Sequence, residues 1–289
     1  MININDRLSM ATLLRIFRGK IVLTWGVTLL ETAMIALIPL MIGWSIDGLL
    51  NGDWSAFINL VIVFGLLLIV ATGRRIYDTR AYGTMRVELG KALAARSADK
   101  DVSVLNARVL MVRELVDFLE REAPESMTAL IQVFFSVGVL LAFHSTLAAS
   151  AGLAALSTLI IYGLFARRFF KLNAHLNSQT EKQIGALESR DLSQIANHFI
   201  RLRKQEVRLS DTESLVYGLI FLILLTMLAF NLWFAATQSG ASPGQIFSII
   251  TYSYEFVQSA VTLPLALQAL TRIKEITARI NSEICIITT

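Results

Sequence analysis

An all-α membrane protein with six transmembrane helices and two long cytoplasmic helical arms is the fold class this sequence predicts, and three observations predict it. Of 289 residues, 55% are hydrophobic and only 17% are charged, against about 25% charged in an average soluble domain. The apolar residues gather in windows long enough to cross a bilayer. The basic residues, in turn, all fall in alternate connections between those windows.

The windows are Ile21 to Ile46, Ala56 to Thr72, Ser126 to Phe143, Ala148 to Ala166, Leu215 to Ala236 and Ile246 to Leu270. A hydrocarbon core of about 30 Å needs roughly 20 helical residues, and a helix satisfies its own backbone hydrogen bonds there. The first window is read as a retained span, because no small-residue cleavage site follows it. Of the 26 Lys and Arg, four precede the first window, ten lie between the second and third, nine between the fourth and fifth, and three after the sixth. The turns around Asp53, His144 and Ser239 hold none, which predicts external turns and cytoplasmic N- and C-termini. Trp25, Trp44, Trp54 and Trp233 sit near window ends, as interfacial rings do. The basic balance, +4 overall with a pI near 9.3, is therefore a topology signal, and no nucleic-acid partner is expected.

Residues 1–19 read as a cytoplasmic N-terminus in which Leu8, Leu13, Leu14, Ile16 and Phe17 beside Arg7, Arg15 and Arg18 suit a short interfacial helix. Residues 20–280 form the six-helix domain, and 281–289 a short tail. The two internal connections, Gly73 to Glu125 and Arg167 to Ser214, are too long to be structureless. Leu105, Val109, Val112, Val116 and Leu119 in one, and Leu192, Ile195, Phe199 and Leu202 in the other, have helical spacing. Each is expected to rise and return as a helical arm of the order of 35 to 40 Å.

These residues carry a resemblance. Pro39, Gly43 and Ile46-Asp47 close the first window; Arg74-Arg75, Tyr77, Asp78-Thr79-Arg80 and Tyr82-Gly83 leave the second. Glu114 to Glu120 sits on the return from the first arm, and His198-Phe199 to Glu213 in the second. Tyr252 to Phe256, Pro264 and Arg272 to Ile280 form the last. Together they resemble the transmembrane domain of exporter-type ABC transporters over roughly residues 8 to 280, closest to the stand-alone six-transmembrane family without a nucleotide-binding domain. The resemblance implies a bacterial inner-membrane protein that homodimerises, or pairs with a related half-transporter, into a domain-swapped twelve-helix dimer. It also implies a separate nucleotide-binding subunit that carries ATP-Mg and meets the arm tips. Those coupling tips are placed near Lys100 to Ala107, with Asp101, Ser103 and Leu105, and near Ala186 to Asn197, with Glu188, Asp191 and Gln194.

A phosphate-cradling Gly-x-x-x-x-Gly-Lys-Ser/Thr is absent. Gly19-Lys20 and Gly90-Lys91 lack its spacing, and Ser239 to Gln245 resembles the family's signature loop only superficially. No cofactor is expected on this chain, and it is not expected to be an enzyme. With one cysteine, Cys285, and with His144, His175 and His198 scattered, no metal site or catalytic constellation is indicated.

Glu31 and Glu255 are the only acids or bases in the six windows, and both are placed about 14 to 15 Å deep by helix rise. Intramembrane carboxylates usually face a cavity or a partner. Thr28 shares a face with Glu31, and Tyr252 and Ser259 share one with Glu255. With no Lys or Arg in the windows, each glutamate is expected to be protonated, hydrated or bonded to the other, unless an arginine reaches in from an edge. As a site they would contact a polar or cationic substrate or carry protons; as structure they would hydrogen-bond a neighbouring helix. The overall expectation is an alternating-access exporter subunit driven by its ATPase partner. Two alternatives are a proton-driven carrier on the same fold, and a non-transporting regulatory or assembly protein.

Overall fold

The computed structural model describes residues 10–96, 113 and 115–282, and all of its regular elements among these are helical. They are α1 (Met10–Ile16), α2 (Arg18–Leu50), α3 (Ser55–Arg96), a π-helical turn (Phe118–Glu122), α4 (Ala123–Phe143), α5 (Ser145–Glu181), α6 (Gln183–Glu188), α7 (Leu192–Thr237) and α8 (Pro243–Ser282). Five stretches among the described residues are long and apolar enough to cross a membrane: α2, α3, Leu115–Phe143, the stretch from Ser145, and α7. Over the sixth predicted window the chain is also helical, as α8. The chain divides into two compact units, residues 1–140 with 239–289, and residues 141–238.

In the first unit α2 and α3 form an antiparallel hairpin. Asp53 closes it by accepting the backbone N–H and hydroxyl of Ser55 at 2.9 and 2.8 Å, and these bonds hold its carboxyl below the usual range. Six of the eight buried positions of α2, Thr24, Thr28, Thr32, Ala36, Pro39 and Gly43, recur every three or four residues, so α2 presents a largely small and polar stripe to its neighbours. Outward-facing Ile58, Ile62, Leu68 and Ile69 of α3 are exposed, as suits a surface that meets lipid.

Where α2 and α8 cross, Gly43 and Gly244 bring the two backbones together. A Cβ on Gly43 would lie 2.5 Å from the Gly244 carbonyl oxygen, and one on Gly244 would lie 2.7 Å from the Asp47 carboxylate. That close approach lets Ser248 donate to the Pro39 carbonyl at 3.0 Å and Tyr252 to the Ala36 carbonyl at 2.6 Å. Asp47 then completes the crossing: it accepts the Gly244 backbone N–H at 2.9 Å and the Ser242 hydroxyl, a carboxylate on the positive end of α8.

Where the first predicted span begins and beyond the second, Leu13, Ile21, Tyr82, Met85, Leu89, Leu93, Leu115, Val116, Phe118 and Leu119 form an apolar core. Leu13 of α1 is thus buried against protein. The π-helical turn has a local cause. Pro124 has no N–H for the Glu120 carbonyl, and the Ala123 N–H bonds back to Phe118 rather than to Leu119. The freed Leu119 carbonyl accepts from Tyr82 at 3.0 Å and from Trp25 at 3.4 Å.

In the second unit α5 and α7 pack antiparallel. Leu147, Ala151, Ala154 and Thr158 face inward on α5, and Thr212, Val216, Ile220, Leu224, Met227, Asn231 and Ala235 on α7. Ser150 bonds Asn231 at 2.5 Å within this seam, and His144 caps α5 by accepting from Thr146. At the far end the chain reverses through α6 and Ser189-Arg190. Arg190 is left-handed, with φ 51°, and Asp191 caps α7 by accepting from the Ser193 N–H at 2.9 Å.

Candidate functional site

The two membrane carboxylates lie at one level, set by the Gly43–Gly244 crossing. Glu31 is 12 residues along α2 from Gly43, and Glu255 is 11 residues along the antiparallel α8 from Gly244, so helix rise puts both about 17 Å from the crossing. Their partners differ. Glu255 accepts an amide N–H from Gln132 of α4 at 2.6 Å. Glu31 is ion-paired with Arg74 of α3, which also holds Asp78 at 3.0 Å.

For Glu31 the exception the sequence left open holds: an arginine reaches in from an edge, as Arg74. The reason is the hairpin register: Glu31 lies 19 residues before the end of α2, and Arg74 lies 19 residues after the start of α3. An arginine two residues past the predicted window therefore stands level with Glu31. The glutamates do not bond each other; each has its own partner.

A polar cavity of about 990 Å³ opens between α2, α3, the π-helical turn, α4 and α8. Of the sequence-predicted residues, Thr28, Glu255 and Ser259 line it, and Glu31 touches it through Arg74. Tyr252 does not line it: the side chain is fully buried and its hydroxyl is held by Ala36, so Tyr252 ties α8 to α2. Sequence reasoning passed over Gln132, Thr128 and Gln258, which line the same space. A lone amide in an apolar window was the signal for Gln132. At one end of the cavity Glu120 is bound by Arg86, which also binds Asp117 at 2.5 Å; Pro124 was the signal that the backbone turns there.

In the second unit the predicted tip residues gather at the reversal. Glu188 ends α6, Asp191 caps α7, and Gln194 donates to Asp191 at 3.1 Å. Leu192, Ile195, Phe199 and Leu202 lie on α7, as their helical spacing predicts; Leu192 is 83% exposed and Phe199 44%, while Ile195 and Leu202 are partly buried. The residue buried there is His198, bonded to Gln179 at 3.0 Å. Asp101, Ser103 and Leu105, the residues of the other predicted tip, lie outside the described residues.

A protein-family model described as the ABC transporter transmembrane region matches residues 10–244. The chain belongs to that family. No curated protein matches the chain. The ABC transporter transmembrane region is a multi-pass membrane component of a transporter, and the matched span contains α1 to α7, Asp47, the arginine clusters and Gln132. Glu255, Ser259 and nearly all of α8 follow the matched residues, yet they form one wall of the same cavity.

Proposed function

We propose that this chain is the transmembrane subunit of an exporter-type ABC transporter, with six spans and both termini in the cytoplasm. The observation that carries the reading is an open cavity with several polar and charged side chains, set between helices whose outer faces are apolar. A polar chamber at the level of Glu31 and Glu255 is costly in a membrane unless something passes through it or binds there. The basic connections and the unbasic external turns support the orientation.

ATP is bound outside these 289 residues, in keeping with the absent phosphate loop, and a nucleotide-binding subunit drives alternating access. Exposed Leu187 and Leu192 flanking a capped turn supply an apolar contact for it. A second copy or a related half-transporter completes the chamber, and the bacterial inner membrane is the compartment. The chain itself performs no catalysis.

A proton-driven carrier is the second reading, and the single neutral partner of Glu255 favours it. Reconstituted vesicles separate the two. Flux that requires ATP and a co-purified ATPase is expected; flux that follows ΔpH without nucleotide would replace the leading reading with the second.

A further inference from the structure

We propose that the cavity takes a cationic amphiphile bearing a primary or secondary amine, with its ammonium on Glu255. The inference rests on the transport reading only in taking this chamber as the substrate site. Every other carboxylate bonded at the chamber has an arginine: Glu31 and Asp78 share Arg74, and Asp117 and Glu120 share Arg86. Glu255 has none among the described residues. Its Oε2 accepts from the neutral Gln132 amide, which leaves the carboxylate charge uncompensated and the other oxygen open. In both arginine clusters two carboxylates share one guanidinium; Arg75, Arg121 and Glu125 also line the chamber, so the preference for a cation is local to Glu255, which no arginine pairs.

Around Glu255 several side-chain donors are already engaged by neighbours. Thr28 gives its hydroxyl proton to the Thr24 carbonyl at 2.9 Å, and Thr262 gives its own to the Gln258 carbonyl at 3.0 Å. Gln258 donates to the Tyr254 hydroxyl at 2.9 Å, and Gln132 donates to Glu255. The two threonine hydroxyls therefore turn lone pairs toward the chamber, while each glutamine amide keeps one N–H, so an ammonium on Glu255 finds acceptors beside it. Ile35, Ala129 and the exposed Tyr254 supply apolar and aromatic surface in the same space, which fits the hydrocarbon of an amphiphile and offers a ring face to its cation. An ammonium carrying two or three N–H groups uses this arrangement fully; a quaternary one does not.

Binding can be read without ATP or any partner. The full chain in phosphatidylcholine nanodiscs is titrated with monodansyl-1,5-diaminopentane, a primary ammonium at neutral pH, and with its N-acetyl derivative. The ammonium probe is expected to bind roughly tenfold or more tightly than the neutral one, the size of a charged hydrogen bond. Glu255→Gln is expected to erase that preference, Glu255→Asp to keep most of it, and Glu206→Gln on α7 to leave it unchanged. Equal affinity of wild type for the two probes overturns the proposal and needs no variant to be folded. So does a preference that survives Glu255→Gln, or tighter binding of a carboxylate-bearing dansyl probe. If ATP-dependent flux persists in any of these cases, the transport reading stands and the ligand class alone is wrong.

Discussion

Replacing Gly244 with alanine tests the crossing that sets the level of both glutamates. A methyl group there would lie 2.7 Å from the Asp47 carboxylate and closer still to the Gly43 carbonyl, well inside the 3.5 to 4.0 Å of an ordinary contact. The helices would have to part by about 1 Å. Overpacking of that kind costs about 1 to 3 kcal/mol. The Asp47 cap on α8 and the bonds from Ser248 and Tyr252 depend on the same approach, and losing the cap adds about 0.5 to 2 kcal/mol. A loss of about 2 to 4 kcal/mol is therefore expected, measured as a lowered midpoint of thermal unfolding in nanodiscs. The control has the opposite sign. Gly218, also helical, has nothing within 4 Å of a built Cβ, so Gly218→Ala is expected to be neutral or to stabilise by up to about 1 kcal/mol. A Gly244→Ala protein as stable as Gly218→Ala would refute the close crossing.

Three further outcomes are expected. Glu31→Gln leaves half-buried Arg74 with Asp78 alone and should cost about 1 to 3 kcal/mol; adding Arg74→Gln should recover part of the loss, and strictly additive single effects in that cycle would deny the ion pair. Tyr82→Phe removes one of two donors to the Leu119 carbonyl and should cost about 1 kcal/mol, with Trp25→Phe costing more in that background than alone; independence of the two, read by unfolding midpoints, would show that they do not share an acceptor. Arg190→Gly relieves a left-handed backbone and should stabilise the second unit by about 1 kcal/mol, while Arg190→Val should destabilise it; the reverse order in hydrogen exchange of α6 and α7 would remove the left-handed turn.

Length, hydropathy and charge placement made much of the architecture legible, because a span needs an apolar run that nothing else in the chain resembles. They also located Thr28, Glu255 and Ser259 at the chamber. What they could not supply was register. The pairing of Glu31 with Arg74 depends on two residues sitting equally far from one turn, and that turn had first to be placed to within a residue. Tyr252 shares its helical face with Glu255, yet it is drawn onto α2 because glycines at 43 and 244 let the helices close there. Helical spacing gives a face and not a neighbour, so a structural tyrosine and a cavity-lining glutamate look alike. Gln132 carries no charge and shares no helix with either glutamate, so nothing in its own window tied it to them. At the reversal, helical spacing predicted the helix that became α7, but it could not tell that Leu192 and Phe199 would be exposed while His198 is buried.

A photo-reactive maleimide on residue 192 gives the most direct test that this chain couples to an ATPase. The protein carries Leu192→Cys in a Cys285→Ser background, in native membranes, and the adduct is identified by mass spectrometry. The account predicts an adduct with a polypeptide that bears the glycine-rich phosphate loop and Lys-Ser/Thr of an ATPase, and its yield should change when ATP is trapped. Transport that continues while residue 192 cross-links to no nucleotide-binding protein would contradict it.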